Sequence, residues 1–132
     1  MISVTPPTSL SVPPLSAAPI AAIGTFYHYV IVRRDLPLGV QAAMLVHAAG
    51  ESGPSSSGTN AVVLTTADEA SLLSLDLKLR HIPHTLIREP DLPYHGEAMA
   101  IGCLVSDRTE IRKFTAQLPL LKQYPCSCLC GK

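Results

Sequence analysis

With 132 residues and ten basic against ten acidic side chains, the chain is sized for one domain and has no net charge to draw it to nucleic acid as a whole. No apolar run reaches the roughly 18 residues of a membrane span, so no membrane partner is expected. Three of the four cysteines fall in the last seven residues as CSCLC. That placement excludes the spread disulfide framework of a small secreted protein and points to a reducing compartment, the cytoplasm.

Residues 1–25 are rich in Pro, Ser and Ala and contain no charged side chain. They read as an extended N-terminal tail. The lack of arginines makes a poor mitochondrial presequence, although a mitochondrial address stands as the alternative. The segment YHYVIVR, Tyr27 to Arg33, is an unbroken β-branched and aromatic run, the pattern of a strand buried on both faces. DLPLG ends it. An alanine-rich helix follows, to about Ala49, with Val40, Met44 and His47 at helical spacing and Gly50 as its C-cap.

ESGPSSSGTN is a surface loop. NAVVLTT, Asn60 to Thr66, reads as a second strand, and Thr66 with Glu69 matches a T-x-x-E capping box opening a second helix. Leu72, Leu75 and Leu79 form that helix's apolar stripe, which is expected to run to about His81. HTLIRE after Pro83 makes a short third strand, PDLPYHGEA a turn-rich loop, and MAIGCLV a fourth, central strand. Ser106 and Asp107 are N-cap candidates for a last helix, RTEIRKFTAQLP.

The order β-α-β-α-β-β-α implies an α/β fold, a four-stranded mixed sheet with helices on both faces. Ligands in such folds gather at strand ends, here the turn Asp35 to Gly39 and the loop Glu89 to Ala98. Cys126, Cys128 and Cys130 form a Cys-rich C-terminal tail over 123–132, with three thiolates where tetrahedral zinc needs four ligands, so no metal or other cofactor is expected.

The ordered set RRDL (Arg33 to Leu36), PLG (Pro37 to Gly39), HA (His47 and Ala48) and TADE (Thr66 to Glu69) resembles the type II peptidyl-tRNA hydrolases. It is closest to their divergent peptidyl-tRNA hydrolase domain-containing branch, in which the turn is Pro-x-Gly and a glutamate follows the third strand, as Glu89 does. The resemblance spans residues 26–122. It implies hydrolysis of the ester between a peptide and the 3′ end of its tRNA, and a tRNA carrying a peptide as partner. Family members commonly pair, which makes a homodimer an expectation. Two departures fall on the implied catalytic surface: Leu38 and Val40 stand where the family has lysines, and Met44 replaces a glutamine.

Ester hydrolysis needs an activated water, oxyanion donors and cations for phosphate. His47 suits a base at neutral pH, and equally a packing residue on an alanine-rich helix. Asp35 would orient a partner or fix an Asx-type turn before Pro37. Glu89, next to Pro90, is placed to polarise water. The amides around Gly39 at a helix N-terminus offer oxyanion donors. Arg33 or Arg34 would meet phosphate, but a strand alternates its faces, so only one of the two can face the site. Tyr94 and His95 on the loop are candidates for stacking on a terminal base. A second reading stands beside the enzyme: a catalytically silent member of the fold acting as an RNA- or protein-binding module.

Overall fold

The computed structural model describes residues 25–56 and 58–122. The N-terminal tail, apart from its last residue, and the three clustered cysteines lie outside those residues. The elements are β1 (Phe26–Arg33), α1 (Leu38–Ser52), β2 (Thr59–Thr66), α2 (Glu69–Lys78), β3 (Thr85–Glu89), β4 (Glu97–Val105) and α3 (Thr109–Thr115). The order is the one the sequence implies.

The sheet runs β2-β1-β4-β3, with β1 parallel to β2 and β4 antiparallel to both β1 and β3. β1 and β4 are central, which is why both are apolar almost throughout. Their alternation divides the core. Tyr29 and Ile31 of β1 join Leu64, Ile101 and Cys103 under Leu72 and Leu75 of α2 and Ile111 of α3. Val30 and Val32 join Ala100 and Ile87 under Met44 and Ala48 of α1. The sheet is thus covered on both faces, by α1 on one and by α2 and α3 on the other.

Several boundaries differ from the sequence reading, each for a local reason. α1 continues through Gly50 to Ser52 and stops at Gly53, whose φ of 139° only glycine adopts readily. Its buried stripe is Gln41, Met44 and Ala48, which turns His47 outward. The N-cap of α2 is Asp68, whose Oδ1 accepts from the Ser71 amide at 2.9 Å, so Thr66 and Glu69 form no capping box. α2 ends at Lys78, three residues short of His81. Arg108 occupies the N-cap position of α3 without a side-chain cap hydrogen bond, and the helix ends at Thr115; Asp107, one residue earlier, accepts from the Thr109 amide and hydroxyl.

α1 lies unusually close to the sheet. A Cβ on Gly102 of β4 would overlap the Ala48 carbonyl of α1, so only glycine fits there. Beyond α3, Leu120 bridges to Leu64, while Pro119 O accepts from Thr65 N and Leu121 N donates to Val63 O, at 2.8 and 3.1 Å, along the open edge of β2.

Candidate functional site

Because β1, β2 and β3 share one direction, their C-terminal ends meet the start of β4 and the N-termini of α1 and α2 at a single edge of the sheet. That is where α/β folds assemble sites. Its centre is Arg33, the last residue of β1. Only 8 % of this side chain is exposed, and all three nitrogens of its guanidinium donate hydrogen bonds. Nε and Nη2 donate to the two oxygens of Asp35, both at 2.9 Å, while Nη1 donates to Glu97 Oε1 at 2.7 Å and to the Ala98 carbonyl at 3.0 Å. The bidentate fork is the geometry that guanidinium and carboxylate favour. It raises the Arg33 pKa far above its ordinary value, and the same hydrogen bonds hold the Asp35 carboxyl below its usual range. Glu69 completes the corner by accepting from the Ala98 amide at 2.9 Å.

The turn from Asp35 to Gly39 is fixed from inside by Gln41, which is not among the candidate site residues the sequence points to. Its Nε2 donates to the carbonyls of Leu36 and Arg34 at 2.7 and 3.3 Å, and its Oε1 is buried without a partner. The signal was present: Gln41 stands three residues before Met44 and seven before Ala48, on the stripe that faces the sheet. Above it α1 opens without a side-chain cap or an acidic residue in its first turn. The amides of Leu38, Gly39 and Val40 therefore have no partner among the described residues, and nothing lies within 4 Å of a Cβ built on Gly39.

Glu89, the last residue of β3, is half-buried and pairs in register with Glu97, the residue that Arg33 holds. Its Oε1 accepts from the Asp91 amide at 3.3 Å. Tyr94 packs with the cluster of Leu36, Met44 and Ile87 beneath the turn, so its ring is part of the wall. His95 is exposed with φ 48°.

The structure therefore gathers Arg33, Asp35, Gly39, Glu89 and Tyr94 at one end of the sheet. It leaves His47 out. That ring is exposed, its Nδ1 is 3.8 Å from Glu51 one turn on, and it lies about 13 Å along the axis of α1 from Leu38. Of the paired arginines, Arg33 is bonded inside the corner, and Arg34 lines a cleft on the α2 side. Six carboxylates share this edge (Asp35, Asp68, Glu69, Glu89, Asp91 and Glu97), against Arg33, Arg34 and Arg88. Among the described residues no three His, Cys, Asp or Glu side chains converge as metal ligands. Cys103 is buried, donates to the Pro83 carbonyl, and has its thiol pushed up to about 11 by desolvation, which makes it unreactive.

No protein-family model matches the chain, and no curated protein matches it. Among solved structures, a protein of unknown function from Agrobacterium tumefaciens strain C58 is similar, with a TM-score of 0.48 and 18 % identity over 76 % of this chain and 100 % of that one. No described helix is long and apolar enough to cross a membrane.

Proposed function

We propose that the chain is a peptidyl-tRNA hydrolase-like protein that keeps the ester-binding corner of an esterase and turns over slowly. The observation that supports this is the uncapped start of α1 at the sheet edge that also carries Asp35 and, at the end of β3, Glu89. Three amides converge there at the positive end of a 15-residue helix, where a developing oxyanion is stabilised without a lysine. Glu89 is the base of this reading. Asp35 holds its proton too weakly for that role, because both its oxygens are bound to Arg33. Asp35 and Arg33 are positioning residues, which fix the turn from which the amides point.

One fact favours a second reading, a silent binding module. The edge carries six carboxylates and three arginines, a poor footing for the phosphates of a tRNA and a better one for a basic protein segment. The deciding experiment is release of peptide from a peptidyl-tRNA analogue by the purified full chain. The hydrolase reading expects slow release that falls at least tenfold in Glu89→Ala and less than threefold in His47→Ala. Absence of release at enzyme in excess of substrate would overturn it in favour of the module.

A further inference from the structure

On the face opposite α1, an open cleft of about 500 Å³ is bounded by the end of β2, the length of α2 and the stretch Phe114 to Pro119. The volume falls in the range of small-molecule sites. Three independent features mark it as built for an anion.

The first is Thr66, the last residue of β2. It is 3 % exposed, and its Oγ1 has no hydrogen-bond partner. Alternation along β2 sets Thr66 on the same face as Leu64, which packs under α2, and Thr66 is one of the residues that line the cleft, its Oγ1 almost without accessible surface there. A buried hydroxyl left unpaired is costly, and a ligand oxygen in the cleft removes that cost. The second is a cation at either end. Arg34 sits beside Thr66, whose carbonyl accepts from its amide at 2.9 Å, and Lys78 closes α2, about 13 Å along the helix axis from Glu69. Neither makes an ion pair with a described residue. The third is the rest of the lining. It contains no carboxylate, Ser74 supplies a hydroxyl from α2, and the Phe114 ring forms a flat apolar wall. Asp68, whose carboxylate feels the charges of Arg33 and Arg34, caps α2 through the Ser71 amide.

We infer that this cleft binds a nucleoside monophosphate, with the phosphate held by Arg34 and the Thr66 hydroxyl, the base against Phe114, and Lys78 at the far end. The terminal nucleotide of an RNA strand carries the same chemistry, and the test separates the two sources. The inference does not depend on ester hydrolysis. Its failure leaves the peptide-release result untouched, since that readout depends on Glu89 and the start of α1.

The experiment is calorimetric titration of the full chain with AMP, inorganic phosphate, adenosine and a short single-stranded RNA. AMP is expected to bind more tightly than phosphate or adenosine alone. Arg34→Ala and Lys78→Ala should each weaken it about tenfold. Thr66→Val should weaken it about threefold or more while the free protein melts no lower than the parent, because the variant loses only an unpaired hydroxyl. Tighter binding of AMP than of RNA supports a free nucleotide, and the reverse supports an RNA terminus held through the same residues. No binding of AMP or RNA at millimolar concentration, or equal affinity in all three variants, would overturn the inference.

Discussion

The two faces of the sheet are covered in opposite ways. α1 presses on β4 until no Cβ fits at Gly102, whereas α2 and α3 leave a cleft between them with an unpaired threonine at its floor. Chemistry has room only where the packing opens. A sealed face contributes only its helix end and the turn that leads into it, and an open face can hold a ligand along its length. The neighbours Arg33 and Arg34 express the same contrast in two residues, one held by four hydrogen bonds to oxygen and one lining the cleft without an ion-pair partner among the described residues.

The strongest way to break the contrast is Gly102→Ala. The new methyl group meets backbone, which cannot rotate away, so α1 must lift; a loss of about 3 kcal/mol in a urea titration is expected. A midpoint equal to the parent's would show that the α1 face is not sealed.

Next comes Arg33→Met, which fills similar volume but strips donors from Asp35, Glu97 and the Ala98 carbonyl. Because the two carboxylates are 40 % and 39 % exposed, water restores part of what they lose, and about 2 kcal/mol is expected. The same change in Arg34 should cost less than about 0.5 kcal/mol, since that side chain is exposed and bonds to nothing described. Similar costs at both positions would erase the distinction drawn between them.

Acid should act in two stages. His28, 3 % exposed between the hydroxyls of Ser52 and Ser55, has its pKa lowered by burial. The folded chain binds that proton less readily than the unfolded one, so the contribution is full above pH 6.5 and declines as the pH falls below it. Asp35, lowered by Arg33, contributes fully above about pH 3.8 and loses its share below that. A melting temperature followed from pH 8 to pH 3 should therefore begin to fall below about 6.5 and fall again near the bottom of the range. His28→Gln should remove only the upper step, and a curve unchanged in that variant would assign the step elsewhere. The smallest effect is expected at Thr66→Val, a melting temperature equal to or slightly above the parent's, because the folded protein already leaves that hydroxyl unpaired.

Much of this architecture is readable from residue order. The β-branched runs identify all four strands, and the uniformly apolar β1 and β4 announce their central places. Alternation does not separate Arg33 from Arg34, because β1 ends at Arg33 and Arg34 already belongs to the turn; burial is what tells them apart. That depends on Glu97 and Ala98, brought alongside by the antiparallel pairing of β4. The capping box failed because Asp68 is one residue from the helix and outcompetes Thr66, whose side chain is already committed to the cleft face. His47 misled because the stripe of α1 is set by the close contact at Ala48, a consequence of Gly102 more than fifty residues away in the chain. Orphaned atoms such as Gln41 Oε1 and Thr66 Oγ1 leave no trace in sequence, since both residue types ordinarily find partners.

The short return of the chain along β2 has a consequence for how the protein lives among copies of itself. A parallel strand at the rim of a sheet offers a ladder of free amides and carbonyls to any extended segment that passes. Pro119 and Leu121 occupy those groups first, and Pro119, having no amide, offers no donor of its own at that point. The residues after α3 thus act as a stopper, and a chain cut after Leu118 should trade a covered rim for one that recruits neighbours and drives aggregation.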